Sequence, residues 1–236
     1  MAPAPAGAGC IGAAGWLPMT APSSEFVMAR PATTRRPRAS SQARIDSILA
    51  ASRALLAEQG VAGLSIYSVA ERAGLPPSSV YHFFPGVAQL LEALIGQVHA
   101  AFRDCLAQPI EGPLTRWQEL SRVIELRMLA IYAQDPAARQ LILAQHGLAE
   151  VTRADLSHDI ELGKAMRVLF EQRFVLPPLP DEPDVFSLAL ELGDRVYARS
   201  IQQYGRITER MAEEGMRVFD AYLGLYLPPF LPAAPN

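Results

Sequence analysis

The stretch that leaves the rest of the chain least freedom is residues 65–85, SIYSVAERAGLPPSSVYHFFP. Ser65 precedes apolar residues at Ile66, Val69, Ala70 and Ala73, a spacing of threes and fours that predicts a short amphipathic helix with Ser65 as its N-cap. Gly74 follows the last periodic residue, where a left-handed residue commonly ends a helix. Pro76 and Pro77 come next, the second suited to the first position of a new helix. In that second segment Val80 and Phe84 share an inward side. Ser78, Ser79, Tyr81 and His82 are left outside, and their hydroxyls and imidazole are the groups that contact phosphates and base edges. Two short helices joined by a tight turn are therefore expected, with a polar and aromatic outer face.

Around this stretch, residues 45–94 resemble the DNA-binding domain of the TetR (tetracycline repressor) family. The resemblance rests on the order Glu58-Gln59-Gly60, Ser65, Ala70-Glu71-Arg72-Ala73-Gly74, Val80-Tyr81-His82-Phe83-Phe84-Pro85 and Leu90-Leu91. It implies an all-α homodimer whose N-terminal domains bind double-stranded operator DNA and whose C-terminal domain holds a small-molecule effector that releases the DNA. Ser65, Tyr67, Pro77, Ser78, Ser79, Tyr81 and His82 are the DNA contacts expected here. The chain departs from the family where Pro76-Pro77-Ser78-Ser79 replaces the common Ser-Lys-Gly-Thr, and where Val87 replaces a lysine. Two phosphate-binding lysines are therefore absent, although the start of the helix still offers backbone N–H groups and its dipole. Lys164 is the sole lysine in a chain dominated by Arg, Ala and Pro, which suggests a GC-rich genome.

The formal charge of -3 is unevenly spread. Residues 30–92 hold seven arginines against four acids, so a weakly basic head sits on an acidic body. Within that region Arg30, Arg35, Arg36, Arg38 and Arg44 form a run without acids. It reads equally as a solvated charge run or as an arm that follows the minor groove or phosphates. Residues 1–41 as a whole are expected to be a disordered tail, since Ala, Gly, Pro and Ser without period bury too little surface to offset ordering. No Lys or Arg precedes Arg30, which argues against a secretory signal. Met28 is an alternative start. Cys10 and Cys105 suggest neither a metal site nor a disulfide framework, and a reducing cytoplasm is the expected compartment.

The domain plan that follows is a helix-turn-helix domain over 42–88 and an effector-binding and dimerisation domain over 89–228, with 229–236 disordered. Ile45, Ile48, Leu49, Ser52, Leu55 and Leu56 predict a first helix closed by Gly60. Further helices are expected over 87–108, 114–133, 136–146, 149–174, 184–204 and 207–227. Trp117, Tyr132 and Phe170 read as core or as the lining of an effector cavity, with Arg127 and His146 as polar candidates beside them. His146 and His158 lack an identifiable third ligand, His99 reads as an ordinary core or surface histidine, and no metal or cofactor is expected.

The last two helices are apolar on more than one side. Phe186, Leu190, Tyr197 and Ile201 mark one side of the first, and Leu188, Leu192 and Val196 another. Met211, Val218, Phe219, Tyr222, Leu225 and Tyr226 mark the second helix. A soluble helix with two apolar faces usually meets a partner subunit, so Phe186, Leu190, Tyr197, Ile201, Phe219 and Tyr222 are the expected interface of a four-helix dimer. Asp194, Arg195, Arg199, Glu213 and Glu214 interrupt both helices too often for a membrane span.

No G-x-S-x-G elbow, H-E-x-x-H, phosphate loop or Cys–His pattern occurs, so an enzyme is not expected. A ligand-responsive transcriptional regulator, a repressor on a palindromic operator, is the first reading. The alternative is a helical ligand-binding or scaffolding protein of the same fold that has lost DNA affinity.

Overall fold

In α1, Arg36–Gln59, the stripe of Ile48, Leu49, Leu55 and Leu56 is buried, and the Ser52 hydroxyl is spent on the Ile48 carbonyl at 2.7 Å. The computed structural model describes residues 36–144 and 149–235. Residues 36–41 are already helical, so the expected tail over 1–41 is too long at its end. Arg, Ser, Ala and Gln extend a helix at little cost, and Gln42 supports the extension by donating to Asp46 one turn on at 2.9 Å.

A short 3₁₀ turn over Val61–Gly63 leads to α2, Ile66–Ala73, and α3, Pro77–Phe83. Ser65 caps α2 by accepting from the Ser68 amide at 3.0 Å, and the Ser68 hydroxyl in turn accepts from the Ser65 amide at 2.9 Å. Gly74 ends α2 at φ 65°, ψ 31°, the left-handed region in which a side chain would be strained. Val69, Ala70 and Val80 are fully buried and Phe84 nearly so, which packs α3 onto α2 and α2 in turn onto α1. One long helix, α4, Val87–Ala107, then carries the chain into the second domain. Its Leu90, Leu91, Leu94 and Ile95 are all inaccessible to solvent.

The body comprises α5, Trp117–Gln134; a short α6, Pro136–Ala138, running on as a π-helical segment over Arg139–Leu143; α7, Ala149–Glu171; α8, Val185–Tyr204; and α9, Glu209–Leu223. The described residues are thus all-α. α9 is shorter than its apolar pattern suggests, because Thr208 caps it by accepting from the Met211 amide and the helix stops before Gly224. Trp117, Phe102, Tyr132, Phe170, Phe186 and Phe219 form the centre of the core, each fully buried and each contributing on the order of 2–3 kcal/mol from burial alone.

The C-terminal segment expected to be disordered over 229–236 is instead held along most of its length. Val175 donates to the Pro232 carbonyl at 2.8 Å and Ala234 to the Arg173 carbonyl at 2.9 Å, while Leu231 is buried. The Trp117 indole also donates to the Pro228 carbonyl at 2.8 Å. Backbone pairing holds this segment despite its Pro- and Ala-rich composition.

Candidate nucleic-acid interface and effector domain

The outer face of α2 and α3 is aromatic and open. Tyr67 is 66% exposed and Tyr81 44%, with their rings edge-to-face at 6.3 Å. His82 is exposed beside them and lies edge-on to Phe83 at 4.9 Å. Ser78 and Pro77 are exposed and Ser79 is half-buried. Ser65 is exposed too, but its hydroxyl is engaged in the cap of α2. Arg44 is exposed on α1, whereas Arg72 is held by Glu58 through a two-pronged pair at 2.8 and 2.6 Å. Arg36 and Arg38 belong to the first turn of α1; Arg35 lies outside the described residues.

The head is tied to the body by a pair that sequence reading missed. Arg53 of α1 bonds to Asp135 and, at 3.3 Å, to Gln97 of α4. Asp135 simultaneously caps α6 by accepting from the Ala137 and Ala138 amides. Residues 82 apart carry no local signal of this contact.

Inside the body, acidic side chains converge. Nε2 of His99 on α4 donates to Oδ1 of Asp155 on α7 at 2.8 Å, while its Nδ1 is buried without a partner among the described residues. His158 stacks on the same imidazole at 4.9 Å and 21°. Asp159 is buried beside them; burial, with Asp155 and Glu191 adding, pushes its carboxyl up to about 8. Asp194 accepts from the Tyr132 hydroxyl at 2.8 Å and is also shifted upward, first by burial and then by Asp159. In a separate network Glu125, buried on α5, accepts from the Tyr197 hydroxyl at 2.7 Å; burial pushes its carboxyl up to about 7. Between α5, the π-helical segment and the start of α9 lies a cavity of about 430 Å³ lined by Leu129, Tyr132, Arg139, Arg206, Ile207 and Ala212.

Residues 48–94 match the model of the bacterial regulatory proteins of the tetR family. The N-terminal helices are a tetR-family domain. Beyond that domain, most of the chain shares the fold of solved tetR-family regulators. A TetR-family transcriptional regulator from Streptomyces coelicolor is 24% identical, with a TM-score of 0.60 over 78% of this chain and 99% of that one. A TetR transcriptional regulator from Rhodococcus sp. RHA1 is 20% identical, with a TM-score of 0.58 over 78% and 97%. The multidrug binding protein EbrR, complexed with imidazole, is 19% identical, with a TM-score of 0.53 over 76% and 94%. No curated protein matches the sequence. Among the described residues no helix is long and apolar enough to cross a membrane.

Behind the tetR-family domain, the expected effector residues divide. Tyr132 lines the cavity. Trp117 and Phe170 are core, their rings 6.4 Å apart. Arg127 closes the end of α4, donating to the carbonyls of Cys105, Gln108 and Pro109 at 3.1, 2.9 and 2.7 Å. His146 lies outside the described residues, so its convergence with His158 has no structural counterpart here. The expected dimer face needs correction as well. Phe186, Leu190, Tyr197 and Phe219 are buried within the single chain, because α8 and α9 pack that side onto α5 and α7. Ile201 and Tyr222 are half-buried. The outward apolar side of α8 is the other one, with Leu192 39% exposed and Leu188 and Val196 half-buried.

Proposed function

We propose that the chain is a ligand-responsive transcriptional repressor that binds a palindromic operator as a dimer and releases it when an effector occupies the C-terminal domain. The observation that carries this reading is the exposed Tyr67, Ser78, Tyr81 and His82 face on a tetR-family domain whose interior is fully occupied by packing residues. The two exposed tyrosine rings stay on a surface at some cost unless a partner uses them, and major-groove edges and phosphates suit the hydroxyls and imidazole of this face. Two such heads related by a dimer axis would meet two half-sites, which is the geometric reason for a palindrome. The outward Leu188, Leu192 and Val196 side of α8 is the surface we assign to the partner subunit.

The effector reading is supported by the cavity beside Tyr132 and by the likeness in fold to EbrR, a multidrug binding protein. Pro77 and Val87, where lysines are common in the family, favour the alternative of a same-fold binding protein without DNA affinity. Fluorescence anisotropy with DNA from upstream of the protein's own gene separates the two. Saturable binding that survives unrelated competitor DNA is expected; equal affinity for operator and competitor, or none, would overturn the repressor reading.

A further inference from the structure

We infer that the seam between α4 and α7 is a divalent-cation site, with His99, Asp155 and Asp159 as protein ligands and a first-row transition ion of the zinc class as occupant. The spacing comes first. Asp155 and Asp159 stand one turn apart on α7, so both carboxylates project from the same face, and that face meets His99 on α4. One donor atom from each of the three lies within 4.8 Å of the others. Zinc–nitrogen and zinc–oxygen bonds of about 2.0–2.2 Å place donors on one ion roughly 3–4 Å apart, so small side-chain rotations close the set.

A plain ion pair accounts for His99 and Asp155 but leaves Asp159 unexplained. Asp159 is 9% exposed, and among the described residues no hydrogen bond reaches its carboxylate. A carboxylate in that position loses most of its water while no described side chain donates to it. Among the described residues, the ion pairs of the three are confined to the one between His99 and Asp155. Two carboxylates and a buried imidazole thus converge across the helix seam, which is the donor arrangement a cation would satisfy.

The donor set narrows the ion. One imidazole and two carboxylates suit zinc, manganese, iron or cobalt in the divalent state. Calcium needs six to eight oxygens, which two carboxylates do not supply. The sulfur of Cys105 is not part of the set, so the soft monovalent copper ion is disfavoured. His158, stacked on His99 and with Nδ1 3.6 Å from Glu161, holds the imidazole plane in place from outside the set. Three protein ligands leave further coordination positions open to water.

Such an ion would bridge α4, which leads directly from the head, to α7 in the body. That its occupancy is felt by DNA rests on the regulator reading; the site itself does not. The test is therefore made without DNA. Full-length protein is stripped with EDTA, then titrated with Co²⁺ followed by its visible absorption and with Zn²⁺ by calorimetry, and melted at each Zn²⁺ concentration. One ion per chain and a melting temperature that climbs with Zn²⁺ are expected. Asp159→Asn and Asp155→Asn should each weaken uptake by about tenfold or more while melting cooperatively without metal. Should Asp159→Asn fail to fold, Asp155→Asn decides alone, since its side chain is 22% exposed and tolerates an amide. Stripped protein that takes up neither ion, or both variants binding Zn²⁺ as tightly as the parent, would overturn the site. A calcium response equal to that of zinc would overturn the ion class.

Discussion

Arg53 and Asp135 join the head to the body, and Asp135 does so while also capping α6. The two duties are separable. Arg53→Met removes the pair and the long bond to Gln97 but leaves the cap, and because both ion-pair side chains are about a third exposed the loss should stay near or below about 1 kcal/mol. Asp135→Ala removes the cap as well and should cost about 1–2 kcal/mol. Urea unfolding of the two variants measures this; equal losses would mean that the cap contributes nothing.

Tyr197 fills space that only a glycine at position 215 leaves open. A Cβ there would overlap the Tyr197 ring and lie 2.8 Å from its hydroxyl oxygen. Gly215→Ala should therefore cost about 1–3 kcal/mol through overpacking. Tyr197→Phe should cost a similar about 1–3 kcal/mol by leaving Glu125 without its donor. Thermal melts at one pH provide the comparison, and a Gly215→Ala variant as stable as the parent would show that α8 and α9 part freely.

Glu125 should make stability fall with rising pH. Its carboxyl is raised from 4.5 to about 7, mainly by burial and further by Asp220 on α9, against the opposing hydrogen bond from Tyr197 on α8. The folded state therefore keeps the proton to higher pH than the unfolded chain. Its contribution is complete below pH 4.5 and is lost as pH rises through about 7. The loss is on the order of 3 kcal/mol. Glu125→Gln should flatten that part of the curve, and the difference between parent and variant separates this carboxyl from Asp159 and Asp194, whose values are raised for the same reason. An unchanged slope in Glu125→Gln would refute the assignment.

Truncation after Leu227 should destabilise the body. It removes the Pro228 carbonyl that accepts from Trp117, the buried Leu231 and the two backbone bonds to Arg173 and Val175. A buried leucine contributes about 2 kcal/mol and each hydrogen bond about 1 kcal/mol, so the melting temperature should drop by several degrees. A truncated chain that melts with the parent would restore the view of a loose terminus.

What the sequence makes legible is local. Ser65, Gly74, Pro77, Val80 and Phe84 each act within a turn or two of their own backbone, and all stand where the spacing puts them. Relations across the chain are not visible in it. Periodicity shows that α8 has two apolar sides but not which one meets α5 and α7, so it assigns Phe186, Leu190 and Tyr197 to a partner when the chain itself covers them. His99 and Asp155 are 56 residues apart, and their pairing depends on α4 and α7 lying together. The strand-like pairing of Phe174 with Ala233 leaves no trace in composition.

Leu192 offers the test of assembly that the buried residues do not. Charging Tyr197 would unfold the chain, since it is 3% exposed, whereas Leu192→Glu alters a side chain already 39% exposed. If α8 meets a partner through this side, Leu192→Glu should sediment as a folded monomer where the parent is a dimer. A parent that is itself monomeric at micromolar concentration would reject the interface.

The reading head can be tested residue by residue because its outer and inner side chains have separate jobs. Tyr81 and His82 are exposed on α3, so Tyr81→Phe with His82→Ala should leave the melting temperature nearly unchanged. Operator affinity should nevertheless fall by about 1–3 kcal/mol for each base no longer read. Tyr67→Ala should act in the same direction and also free the Tyr81 ring, which it meets edge-to-face. Phe84→Ala has the opposite signature. Phe84 is 8% exposed and holds α3 in place, so its truncation should cost about 3–5 kcal/mol of stability. Arg44→Ala differs from both: as an exposed arginine on α1 it should weaken binding to every sequence alike and lower the salt slope by about one unit if it neutralises a phosphate. Affinity against salt, with melts on the same samples, distinguishes the three. A folded Tyr81/His82 double variant that binds operator as tightly as the parent would remove α3 from the interface and leave the non-DNA reading as the better one.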